Sequence, residues 1–420
     1  MLSRFAVSLA ALALLAAGGA ALPTRSLDPP AAPGAMAPSL TATGSGLLLT
    51  WLEPLDPKDK AKGHRLRFSR LASLDDARWS APVTVASGTD FFANWADFPS
   101  AARAADGSLT VHWLAKTGED TYAYGIFLAR STDGGATWRS AGLLHDDGIP
   151  AEHGFVSWIP EKKGLRAFWL DGRDTPKKQP MALRTALVGD RADSGERLDA
   201  SVCDCCQTDA ALAESGPVVA YRDRSDTEVR DVAVIRRTAK GWSEPVSVHA
   251  DGWQIPGCPV NGPAVAASGR RVAVAWFTAA PPKTQVLAAF SQDGGATFGK
   301  PIEVDGDKPL GRVDLLLDAD GSALVSWLAL EGSSGASVRL RRVREGKAGP
   351  TLTLAATTAA RSSGFPRMAR WGDQIFVAWV DGGEVSRVRV VGLTPPLPTP
   401  EKPSPPGSSR PASRTSRPRR

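Results

Sequence analysis

One strand is written seven times in this chain. The stretches GLLLTWLEP, SLTVHWLAK, GLRAFWLDG, GPVVAYRDR, RVAVAWFTA, SALVSWLAL and QIFVAWVDG share an apolar run with an aromatic residue near its end, at Trp51, Trp113, Trp169, Tyr221, Trp276, Trp327 and Trp379. The intervals between anchors are 62, 56, 52, 55, 51 and 52 residues. A shorter strand ending in a glycine turn precedes each anchor, as in ARAADGS and AVAASGR. Another strand follows, and then a Trp-Ser-x-Pro-Val segment such as ARWSAPVTV or KGWSEPVSV, or a relative of it. Each repeat therefore holds four strands, here lettered A to D, and no stretch between the ends of the chain carries helical periodicity.

A four-stranded unit of about 50 residues has apolar residues on both faces and buries them only by stacking on its neighbours in a ring. The expected fold is an all-β propeller over residues 39–394. Seven anchors predict seven blades; six blades with a partial repeat is the alternative. The seventh repeat lacks a strand D after VSRVRVVGL, and the segment before Ser39 is expected to supply it. A repeated structural post also explains why 13 Trp accompany only 3 Tyr.

The ends carry different information. Residues 1–21 combine Arg4, the apolar run AVSLAALALLAAGGA and small residues at Ala20 and Ala21, the pattern of an export signal, so a periplasmic or secreted protein is expected. Residues 22–38, rich in Pro and Ala, read as a linker. The formal charge of +6 comes almost wholly from residues 395–420, which hold six basic residues and one acidic. Without them 44 basic residues face 43 acidic. This tail cannot bury enough apolar surface to offset its ordering entropy, so a disordered tail that contacts at most an acidic envelope surface is expected. Basic residues are not interleaved with aromatics as in nucleic-acid binders, and no later stretch is apolar enough to span a membrane. A monomer is expected.

Two segments, STDGGATW at 131–138 and SQDGGATF at 291–298, fall between strands C and D of their repeats. Ser131, Asp133, Gly135 and Trp138, with Ser291, Asp293, Gly295 and Phe298, match the Asp-box of BNR repeats, and the chain resembles the sialidase superfamily of propellers. The physical role of the box is a hairpin: the aspartate accepts N–H groups inside the turn, the glycine tolerates positive φ, and the aromatic packs beneath. The resemblance places the box on the face opposite the substrate, so a site is expected at the other end of the blades.

That other end is built from the D-to-A and B-to-C loops. Counting back from the A-to-B glycines, Asp97 precedes Gly107 by ten residues, His153 precedes Gly164 by eleven, Cys206 precedes Gly216 by ten and Cys258 precedes Gly269 by eleven. Equal offsets predict similar radial positions around one mouth. All four cysteines, Cys203, Cys205, Cys206 and Cys258, lie in two of these loops. Two chemistries fit them. Disulfides suit an exported chain, with Cys206 to Cys258 and Cys203 to Cys205 as the expected pairing. A zinc or copper site would use the thiolates with His153. No other cofactor is indicated: the chain has no phosphate-binding glycine loop, zincin motif or Gly-x-Ser-x-Gly elbow.

The B-to-C loops add Arg173, Arg222, Asp223 and Arg224 to the same end. The resemblance implies a carboxylate gripped by three arginines, an acidic acid/base and a Tyr nucleophile. Arg173, Arg222 and Arg224 are the candidates for the grip, with Asp97 and Asp223 as acids. The chain departs from the pattern, having no Phe/Tyr-Arg-Ile-Pro motif near the first blade and no tyrosine after Tyr221. A glycan is therefore the expected partner, acted on by a divergent hydrolase or simply bound; the alternative is a non-catalytic propeller that holds a metal ion or a protein through its Cys and His loops.

Overall fold

The computed structural model describes residues 24–188, 195–393 and 397; the expected export signal and, apart from Leu397, the basic tail lie outside the described residues. Seven antiparallel sheets follow one another along the chain, each with strands in the order A-B-C-D. Strand A is Met36–Thr43 in blade 1, Ala101–Arg103 in blade 2, His153–Glu161 in blade 3, Asp209–Ala213 in blade 4, Ala264–Ser268 in blade 5, Pro309–Leu317 in blade 6 and Arg367–Trp371 in blade 7. These strands touch in that order, and blade 7 touches blade 1, so the ring closes with seven blades rather than six. In blade 4 strand D is broken into Gly241–Trp242 and Val246–Ser247.

Blade 7 is completed from the other end of the chain. Thr24–Ser26 pairs antiparallel with Arg387–Leu393, Thr24 opposite Leu393. Leu27 is buried behind this strand, its carbonyl accepts the Trp79 indole N–H at 2.7 Å, and Asp28 holds Arg389 at 2.7 Å. The segment 24–38 thus belongs to the propeller as the fourth strand of blade 7 and the start of blade 1.

The anchors explain the composition. Trp51, Trp169, Trp276 and Trp327 are fully buried on strand B between neighbouring sheets. A buried indole N–H requires an acceptor, and each finds a carboxylate: Glu53, Asp171, Asp251 and Asp305, at 2.6–2.8 Å. Tyr221 takes the same place and donates to Asp199 at 2.5 Å, which makes it a core residue.

Both Asp-box segments form the same turn. Asp133 accepts from the Thr137 N–H and hydroxyl at 2.9 and 2.6 Å, and Ser131 Oγ accepts from the Gly135 N–H at 2.9 Å. Asp293, Thr297, Ser291 and Gly295 repeat these bonds within 0.1 Å. Gly135, at φ +94°, lies so close to Phe68 of blade 1 that an added Cβ would sit 2.2 Å from the ring, and Trp138 packs edge-on against the same ring at 5.1 Å.

At the D-to-A end the channel is sealed. Gln207 donates to Ala96 O at 2.6 Å and accepts from the Gly262 N–H at 3.0 Å, linking loops that belong to blades 2, 4 and 5. Arg312 of blade 6 donates to Ala360 O and Gly364 O and stacks on Trp95, which itself stacks on Phe365. Contacts between such distant blades have to cross the axis, so these side chains form a plug. Among the described residues no helix is long and apolar enough to cross a membrane.

Candidate metal centre

The four offset residues all stand at the plugged end, but they do different things. Asp97 is buried, and its carboxylate accepts the Phe155 N–H of blade 3 at 2.8 Å. Asp209 and Asp314 hold Val265 and Met368 of the following blades in the same way, at 2.8 and 2.6 Å. Burial pushes Asp97 well above the usual carboxylate range. Its geometry is that of a staple between blades.

Cys203, Cys205 and Cys206 form one sulfur cluster. Strand D of blade 3 ends at Val202, the chain turns sharply before entering blade 4, and three of the four residues in that turn are cysteines. Their Sγ atoms all lie within 4.8 Å of one another, Cys203 to Cys206 at 3.2 Å and Cys203 to Cys205 at 4.0 Å. Cys258, exposed on the loop into blade 5, reaches the Cys205 thiol. No pair is joined: all four are free thiols, and the sulfur nearest Cys206 is Cys203 rather than Cys258.

The surroundings favour thiolate. Arg230 donates to Cys203 Sγ at 3.2 Å, and the buried Arg222 adds a second positive charge nearby. Hydrogen-bond contacts with the Cys205 and Cys206 sulfurs, with that charge, hold Cys203 well below the usual thiol range. Cys205 donates to Cys203 and is pushed up, burial pushes Cys206 up, and the contact with Cys205 brings exposed Cys258 down. A tetrahedral zinc with bonds of 2.3 Å would space its sulfurs about 3.8 Å apart. The spacings in this cluster bracket that value.

His153 belongs to a second cluster. Its ring stacks on His145 at 3.7 Å, its Nδ1 faces Ala151 O at 3.0 Å, and its Nε2 lies 3.2 Å from Asp147 Oδ2. The His145 Nδ1 also reaches Asp147, at 3.0 Å. Burial works to raise the Asp147 pKa, but hydrogen bonds from both histidines outweigh it and hold the group low. Glu152, next in the chain to His153, feels charge from both clusters: burial pushes its carboxyl up to about 7, and it accepts the Tyr124 hydroxyl at 2.6 Å.

The three arginines do not converge. Arg173 binds Asp171 at 2.7 and 2.8 Å and Asp147 at 3.2 Å. Arg222 is buried, donates among the described residues only to the carbonyls of Arg230, Asn261 and Phe277, and stacks on Trp253. Arg224 spans Asp204 at 3.2 Å and Glu228 at 2.6 Å. Asp223 bonds the Arg224 N–H, and burial pushes it up to about 6. Sequence reasoning missed Arg230, Glu152 and Asp204. Glu152 adjoins His153, which the offsets single out, and Asp204 lies between two of the cysteines, whereas Arg230 carries no signal of its own.

No protein-family model matches the chain, and no match is found among curated proteins. Solved structures do match. An ulvan lyase of the PL25 polysaccharide lyases superposes with a TM-score of 0.54 at 11% identity, over 88% of this chain and 96% of that one. The polysaccharide lyase Uly1 gives 0.52 at 9% identity, over 86% and 90%. A protein of unknown function from Dyadobacter fermentans gives 0.49 at 16%, over 88% and 99%. At these identities the likeness is one of fold: the chain is a seven-bladed propeller of the kind that polysaccharide lyases also use.

Proposed function

We propose that this is an exported propeller that binds one thiophilic metal ion, zinc or copper, through Cys203, Cys205 and Cys206, with Cys258 as the closing ligand. The observation that carries this reading is the convergence of three sulfurs from a single turn, at spacings an ion would bridge and beside two guanidinium groups. All-sulfur donors suit zinc and cuprous copper. Arg230 and Arg222 would offset the charge of the thiolates. Cys203 and Cys206 are buried, so an ion would enter past exposed Cys258.

Protein purified without chelators is expected to hold close to one ion per chain by elemental analysis, with four free thiols titratable after denaturation without reductant. Cys206→Ser should lower metal content at least tenfold while keeping the circular dichroism of the wild type. Two disulfides, or four thiols that take up neither zinc nor cuprous ion, would overturn the reading.

A carbohydrate ligand on the same face is a second reading. It is supported by the fold shared with polysaccharide lyases and by an aromatic ledge: Tyr122 is 59% exposed and packs on Phe92, which stacks on Tyr124 at 4.0 Å beside Glu152. The expected partner is a glycan laid on that ledge. The commitment of Arg173, Arg222 and Arg224 to internal acceptors speaks against the usual three-arginine sialidase grip. Affinity electrophoresis in gels cast with acidic polysaccharides should retard the protein, and Tyr122→Ala should abolish the retardation. Unaltered mobility across a panel of glycans would reject this reading and leave the metal reading intact.

A further inference from the structure

Below the plug the channel is a cup of 590 Å³ that opens among the A-to-B turns, at the end of the molecule opposite the thiols. Its walls come from the inner strands of blades 1, 2, 3, 4, 6 and 7. Its floor is Phe98, with the Arg367 guanidinium lying over the ring at 5.0 Å. Arg103 and Arg370 also line it, nearer the turns.

Arg367 is unusual among the inward arginines. Arg222 and Arg312, both more buried, donate to backbone carbonyls. The Arg367 side chain donates no hydrogen bond among the described residues, and its Nε is buried without an acceptor. The nearest carboxylate oxygen, Asp314 Oδ2, is 3.5 Å from Nε and is already held by the Met368 N–H at 2.6 Å. The other Asp314 oxygen accepts from Leu315, and both Asp209 oxygens accept backbone N–H groups, from Ala210 and Val265. Both acids staple blades, Asp314 is also the ion-pair partner of Arg367, and the guanidinium acts on the charge of Asp209 as well; the remaining Arg367 donors meet no hydrogen-bond acceptor among the described residues where the side chain lines the cup. A half-buried cation with unused donors is costly unless a ligand or water completes its bonds. On the same wall Thr208 donates to Phe155 O at 2.7 Å and accepts from Ser157 at 2.9 Å, so both hydroxyl protons are used within the wall and the guanidinium is left as the donor.

We propose that this cup is a second binding site, which takes a small oxyanion, a carboxylate or a phosphate group, with Arg367 as its fork and Arg103 and Arg370 steering it in. A guanidinium matches the paired oxygens of either group, and the volume admits a molecule of a dozen or more heavy atoms. The site lies on the other side of the plug from the metal centre and the glycan ledge.

Isothermal titration at constant ionic strength, with malonate in one arm and inorganic phosphate in the other, tests it. Saturable one-to-one binding is expected in at least one arm, and the arm that binds identifies the group. Arg367→Gln should weaken it about tenfold or more, as the loss of a charge-assisted bond pair does. Should that variant fail to fold, Ala42→Phe, on the exposed wall of the cup, keeps the charge and narrows the entrance; it too should weaken binding at least tenfold. Absence of saturation in both arms, or full affinity in Arg367→Gln or Ala42→Phe, would overturn the proposal.

Discussion

The guanidinium of Arg222 is held entirely by main-chain oxygens. Four bonds of 2.6–3.1 Å reach carbonyls on three segments, Arg230, Asn261 and Phe277, with Trp253 beneath the plane. Truncation would take a donor away from three buried carbonyls, and a buried acceptor left unsatisfied costs about 1–3 kcal/mol. Arg222→Met is therefore expected to destabilise the fold by roughly 3 kcal/mol or more, read as a lowered urea midpoint with an unchanged slope. A midpoint within experimental error of the wild type would show that water replaces the side chain. Sequence placed Arg222 in the B-to-C loop as part of a three-arginine grip; it is the last residue of strand B and points inward. An arginine following an aromatic anchor looks the same on paper whether it points to solvent or under the next loop, because the acceptors that decide the matter lie 8 to 55 residues away. Arg173 and Arg224 were equally legible as positions, and their acidic partners, close in sequence, hold them in place.

At the scale of the element, the repeated strand and the Asp-box turn were fully legible, because both are local. The box needs only its own residues, and its two copies fold alike although one rests on the Phe68 ring and the other lies against Val218 and Arg236. The D-to-A loops were half legible. Their offsets from the A-to-B glycines predicted that Asp97, His153, Cys206 and Cys258 stand at one end of the ring, which is where they are. The offsets fix height along the blade but not the neighbour a side chain chooses. Asp97 turns to a backbone amide, His153 to His145, and only the cysteines find one another. The open mouth was expected from the general form of propellers; it is filled here by side chains such as Gln207 and Arg312, whose partners no periodicity announces.

For the molecule as a whole, closure depends on a strand borrowed across the entire sequence. Residues 24–28 contribute the strand beside Arg387–Leu393, the buried Leu27, the acceptor for Trp79 and the Asp28 partner of Arg389. Burying one leucine contributes about 1.5–3 kcal/mol, and the strand adds several hydrogen bonds at roughly 1 kcal/mol each. Removing everything before Pro29 should lower the unfolding free energy by about 3–5 kcal/mol on those figures. Proteolysis should then start in blade 7 or blade 1, as mass spectrometry of limited digests would reveal; first cuts in blades 3 to 5 would contradict the role assigned to this strand.

The plug joins its two sides through surprisingly little chain. Cys206 carries a sulfur of the cluster, Gln207 crosses the axis, and Thr208 and Asp209 line the cup. Within residues 203–209 the first four hold the thiols on one side, Gln207 crosses between, and Thr208 and Asp209 line the cup on the other, like the slab between two storeys. Whatever stiffens the thiol turn also stiffens the ceiling under which Arg367 waits.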